Sequence, residues 1–117
     1  MKSKPTSWRD IGRVRLRNTY CVECSANNFR VSSTSPKGAG YSQLVPEPVV
    51  THFRKIACGQ TVTVDEAMRA LARSSLQLPY QYGYKLRFFA QNVLVVLVAL
   101  GKACQTRVGH RFEYDIY

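Results

Sequence analysis

Apolar and polar positions along the chain change period several times, and each change marks an element. From Ile11 to Arg17, Val14 and Leu16 alternate with Arg13, Arg15 and Arg17, the period-two pattern of a half-buried strand. From Val62 to Pro79 the period lengthens. Val64, Ala67, Met68, Leu71, Ser75 and Leu78 recur at helical spacing, with Arg69 and Arg73 off the stripe. Thr63 stands where an N-cap belongs and Glu66 completes a capping box. Asp65 and Glu66 suit the positive end of a helix, and Pro79 stops it near Gln77. Leu78, Tyr80, Tyr82, Tyr84, Leu86 and Phe88 then face away from Gln81, Lys85 and Arg87, which predicts a strand with its tyrosines in the core.

The remaining stretches are less regular. Tyr41–Val45 and Val49–Ala57 read as strands broken by Pro46-Glu47-Pro48, the second with ambiguous facing. Thr19 to Pro36 is polar and joins Lys37-Gly38-Ala39-Gly40, which predicts a long loop over 19–40. Residues 1–11 read as a basic arm, in which Trp8 is more simply a packing residue than a base-stacking one. Val93–Leu100 is an apolar run whose valines favour a buried strand over a buried helix. It falls well short of the roughly twenty residues that span a bilayer. Residues 106–117 read as a surface tail. The whole is an α+β fold: one main amphipathic helix on a mixed or antiparallel sheet, with a core over 12–88 and an extension over 89–117.

Charge changes the picture more than composition does. Lys and Arg number 17 against 7 acids, a formal charge of +10 on 117 residues. That balance points to a polyanion, nucleic acid or an anionic membrane surface, against the plainer reading of a solvated basic face. Hydrophobic residues make up 45% of the chain, which is enough for a folded core. Nothing near the N-terminus reads as a secretory signal, so a reducing compartment suits the four cysteines. Cys21 and Cys24 form a lone C-x-x-C. Zinc asks for a second close pair, which is missing, so ordinary thiols are favoured over a metal or redox pair and no cofactor is expected. His52 has no paired acid or nucleophile in the pattern, so catalysis is not expected.

The helix from Val62 to Pro79 also carries a resemblance. Val62-Thr63, Ala67, Ala70-Leu71, Ser74-Ser75 and Leu78-Pro79 resemble the C-terminal helix of the bacterial-type large-subunit ribosomal protein L-sixteen family. Lys37-Gly38-Ala39-Gly40 is similar to that family's Lys-Gly-Lys-Gly loop, although Thr34 and Ala39 stand where the family carries basic residues. The resemblance covers Gly12 to Phe88. It implies a strand at Gly12–Arg17, a long loop reaching toward the site where transfer RNA is accommodated, and a strand after the helix. It further implies a structural protein of the large subunit, in contact with ribosomal RNA and neighbouring ribosomal proteins and not with a membrane. The eroded loop tip and the extension imply a divergent mitochondrial ribosome.

On this reading the phosphate contacts are Arg13, Arg15, Arg17, Lys37, Arg54 and Lys55, with Lys2, Lys4 and Arg9 in the arm. Gly38 and Gly40 let backbone approach RNA closely. The alternatives are a small basic nucleic-acid-binding or adaptor module unrelated to ribosomes, and a thiol or metal enzyme using Cys21 and Cys24.

Overall fold

The computed structural model describes residues 8–38, 40–79 and 83–117, with side chains in the last stretch from Lys85 onward. It is an α+β fold with three helices and seven strands among the described residues. Four strands form an antiparallel meander in the order β1-β2-β3-β4: β1 (Arg9–Arg15), β2 (Thr19–Cys24), β3 (Asn28–Thr34) and β4 (Gly40–Pro46). Then come α1 (Glu47–Ala57), β5 (Thr61–Val62), α2 (Val64–Ala72), α3 (Gly83–Ala99), β6 (Ala103–Val108) and β7 (Arg111–Ile116). The last three strands make a second antiparallel sheet, ordered β5-β7-β6.

The meander corrects the long loop expected over 19–40. Tyr20, Val22, Phe29 and Val31 point inward and are buried, while Thr19, Glu23 and Arg30 lie on the other face. The alternation is real, but small polar residues on the outer face, and Ser33 on the buried one, hide it in sequence. Gly40 serves the sheet itself. A Cβ there would stand 2.5 Å from the Ser33 carbonyl oxygen, so only glycine lets β4 start against β3. The tip beside it is a tight turn, in which the Gly38 N–H donates to the Ser35 carbonyl at 2.9 Å.

The strand expected over Val49–Ala57 is α1. Its buried residues, Val49, Val50, Phe53 and Ala57, have helical spacing. Pro48 sits in the first turn, where a missing N–H costs nothing, and Glu47 and Arg54-Lys55 match the two ends of the helix dipole. The Pro46-Glu47-Pro48 break was therefore a helix start. For α2 the sequence reading holds: Thr63 accepts from the Glu66 N–H, and the Glu66 carboxylate accepts from the Thr63 N–H at 3.0 Å. This helix ends sooner than Pro79 required, at Arg73, whose N–H donates to the Arg69 carbonyl at 3.1 Å while the Ser74 N–H donates to the Leu71 carbonyl at 3.0 Å.

The largest difference is α3. Tyr80 and Tyr82, and the side chain of Tyr84, lie outside the described residues. Leu86, Phe88 and the run Val93–Val98 belong to one helix rather than to two strands. Leu86, Phe89, Ala90 and Val93 are buried at i, i+3, i+4 and i+7. The helix is apolar all round because it lies between the inner face of the meander on one side and α1 and α2 on the other. A helix wrapped in this way leaves no polar stripe to read.

The tail expected at 106–117 is the β6–β7 hairpin. Gly109 takes φ +64 at the first position of its two-residue turn, as a type II′ turn requires. Tyr114 and Ile116 are buried, and one hydrophobic cluster runs from Val14 to Ile116 across the boundary expected at 88/89. Of the elements implied by the ribosomal resemblance, the first strand and the capped helix are present. The long loop is not, and of the strand expected at 80–88 the described residues from Gly83 on are helical.

A candidate nucleic-acid interface

One end of the molecule gathers cations from three separate elements. In the antiparallel meander, the β1–β2 turn and the β3–β4 turn lie at the same end, which places Arg17 and Lys37 on one rim. Asn18 ties that rim together by donating to the Ser33 hydroxyl at 3.4 Å. The β6–β7 hairpin docks here too, since the Gln105 side-chain amide donates to the Arg15 carbonyl at 2.9 Å. The start of α3 brings Arg87, which is exposed, to the same region.

These elements enclose a cleft of about 400 Å³. Its rim carries Arg17 from the β1–β2 turn, Arg87 from α3, and His110 and Arg111 from the hairpin turn. Asp65, at the start of α2, is the one acid that lines it. Arg87 donates to Asp65 at 3.0 Å, and Arg111 reaches Glu113 at 3.5 Å. Both pairs are exposed, so water screens them and neither guanidinium is locked in place. Arg17 pairs with no acid among the described residues.

The cleft has an aromatic lining of Tyr20, Phe88, Phe112 and Tyr114. Burial pushes the Tyr114 phenol up to about 12, helped by neighbouring Tyr20, so it stays neutral at ordinary pH. Gln91 of α3 donates to the Tyr20 hydroxyl at 2.7 Å, which fixes the wall between sheet and helix. The Tyr41 ring meets Phe88 edge-on, with centroids 6.3 Å apart.

A second groove, about 550 Å³, lies at the other end of α3. Phe29, Val50, Leu97 and Leu100 line it, with Arg54, Lys55 and Lys102 at its edge. Nine steps along α3, from Phe88 to Leu97, separate the two sites by about 14 Å along the helix axis.

The residues expected from sequence thus divide. Arg15, Arg17 and Lys37 reach the basic end. Arg13 is exposed on the outer face of the meander, opposite Cys21. Arg9 starts β1 at the far end, where it approaches the Cys24 sulfur at 3.7 Å. Arg54 and Lys55 belong to the second groove, and the Arg54 guanidinium donates to the Tyr117 carbonyl at 3.0 Å. Gly38 and Gly40 shape the β3–β4 turn, and Lys2 and Lys4 lie outside the described residues. Trp8 packs against Arg30, whose guanidinium carbon lies 4.4 Å from the ring centroid.

Cys21 and Cys24 are three positions apart on one strand and point to opposite faces of the sheet, so they cannot chelate as a pair. All four cysteines are free thiols, and the described residues contain no cluster of three or more His, Cys, Asp or Glu suited to a metal. No described helix is long and apolar enough to cross a membrane.

The sequence pattern does not single out Arg87, His110 or Arg111. The signal for the last two is present: Gly109-His110 between two alternating runs is a hairpin pattern. Arg87 was assigned to a strand and so lost its place on the α3 rim. No family model, curated protein or solved structure matches the chain.

Proposed function

We propose that this protein binds nucleic acid through the basic cleft, without catalysing a reaction on it. The observation that carries the reading is the convergence of Arg17, Arg87 and Arg111, from three elements distant in sequence, on one aromatic-lined cleft. Guanidinium forks grip phosphate oxygens two at a time, and displaced counterions supply the driving force. The hydroxyl of Thr63, which also lines the cleft, is engaged in capping α2 and is no nucleophile.

The order of elements from α1 to β7 supports the same reading. Helix, strand, helix, helix and hairpin is the connectivity of a helix-turn-helix unit carrying a β-hairpin. The ten residues 73–82 between α2 and α3 are longer than the usual three or four of that turn.

The ribosomal reading is a narrower form of the proposal, with ribosomal RNA as the polyanion and a mitochondrial large subunit as its setting. The capped α2 helix supports it, and the β2–β3 hairpin in place of the long loop, together with helices α1 and α3, counts against it. Sedimentation of a lysate decides the narrower form: co-migration with the large subunit, abolished by ribonuclease, is its expected result.

The broader reading is tested by fluorescence anisotropy with labelled oligonucleotides over a range of salt. Three phosphate contacts predict that log affinity falls against log salt with a slope of about −2 for a single strand. Arg87→Ala should flatten that slope by about 0.7, whereas Arg69→Ala, on α2 outside the cleft, should leave it unchanged. Affinity that ignores salt, or that responds equally to both substitutions, ends the reading.

A further inference from the structure

We infer that the cleft takes an unpaired base of a single-stranded nucleic acid, not the groove of a duplex. The inference rests on the nucleic-acid reading above and names its substrate class.

The first reason is what α3 lacks the shape to do. A duplex reader lays an exposed helix in the major groove. Between Phe89 and Leu97 every residue of α3 except Gln91 is buried, and Gln91 is turned to Tyr20. No side of the middle of α3 is left to face base edges.

The second reason is what the basic end offers instead. Its central feature is concave, and about 400 Å³ lies within the size range of small-ligand sites. An unpaired base is a flat small ligand carried on a phosphate chain. Phe88 and Phe112 line the cleft, so a base that enters it meets aromatic side chains, a contact that tolerates any base. Arg17 and Arg111 stand on the sheet and hairpin sides, Arg87 on the helix side, so phosphates flanking an inserted base meet guanidinium groups on both sides. Asn18 adds a side-chain amide to the walls, a group type that meets a Watson–Crick edge. A paired base offers neither its ring faces nor that edge, because stacking and pairing already hide them.

The experiment compares three probes of equal length against the full chain: a single strand, the same strand annealed to its complement, and the same strand with abasic sites at its centre. The single strand should bind at least ten times more tightly than the duplex. The abasic strand should bind about ten times more weakly than the intact one, the loss of roughly one stacked base. Phe88→Leu keeps apolar bulk and removes the ring, and should cost a similar factor on the intact strand alone. The abasic comparison carries the same information with an unaltered protein if that variant does not fold. A duplex that binds as well or better overturns the inference and leaves the nucleic-acid reading standing. So does an abasic strand that loses nothing, since the cleft would then hold only backbone. No salt-dependent binding of any probe ends the nucleic-acid reading itself.

Discussion

The two ends of α3 each hold three cations beside a concavity, yet they are built for different work. At the N-terminal end, Arg17, Arg87 and Arg111 come from three elements and surround an aromatic cleft. At the C-terminal end, Arg54 and Lys55 are neighbours in the last turn of α1, where any helix gains from positive charge. Arg54 also holds a main-chain carbonyl, and the groove floor is largely aliphatic. Equal charge therefore carries unequal meaning. A cation that offsets a helix dipole or bonds a carbonyl has a structural reason to be there. Arg17, on a turn with no acid beside it, has none.

The comparison is broken most thoroughly by removing what the two ends share. Leu94 lies between them on α3 and is fully buried. Leu94→Ala should cost about 3 kcal/mol of stability, from lost transfer energy and the cavity left behind. Urea unfolding followed by circular dichroism measures it, and a loss below about 1 kcal/mol would show that α3 is not the common core.

Alkaline pH reaches the cleft through one buried phenol. Tyr114 lines the cleft, and its folded pKa stands near 12 against an ordinary 10. Below pH 10 the phenol is neutral in both states and stability is whole. Between 10 and 12 only the unfolded chain ionises, so folding loses up to about 3 kcal/mol, and above 12 the curve levels. Tyr114→Phe has no phenol to ionise. Its stability should fall by about 3 kcal/mol less than the parent's between pH 10 and 12, and parallel curves would contradict the buried phenol.

Charge reversal sharpens the comparison directly. Arg17→Glu with Arg111→Glu should weaken oligonucleotide binding on the order of 100-fold at low salt. Arg54→Glu with Lys55→Glu changes net charge by the same amount and should weaken it about threefold, through long-range attraction alone. Similar losses from both pairs would mean that net charge, not the cleft, drives binding.

How much of this was legible in sequence depends on whether a residue's partners were local. The α2 cap was legible because Thr63 and Glu66 satisfy each other three residues apart. β1 was legible because Arg13 and Arg15 stay on one face against buried Val14. α3 was not, because burial on every side erases period and its valines favour a strand until tertiary packing overrules them. The meander was obscured by small polar residues such as Ser33 at an inward position. The candidate site was the least legible part. Arg17 was identified, but its companions Arg87 and Arg111 reach it only through the docking of α3 and the hairpin, which no local pattern encodes.

The smallest expected effect is also the most discriminating. Asp65 is the cleft's one acid, and its pair with Arg87 is half-exposed on both sides, at 54% and 50%. Such a pair contributes no more than about 1 kcal/mol to folding, and Asp65 adds a few tenths by sitting at the start of α2. Asp65→Asn should therefore lower stability by less than about 1 kcal/mol. In the bound state the sign reverses, because Asp65 repels phosphate and competes for the Arg87 guanidinium. Removing its charge should tighten oligonucleotide binding about threefold. The matched change at the other end, Glu47→Gln beside the second groove, should leave binding within experimental error. A variant that is slightly less stable and yet binds better separates a role in the site from a role in the fold, because damage to the fold moves both quantities downward.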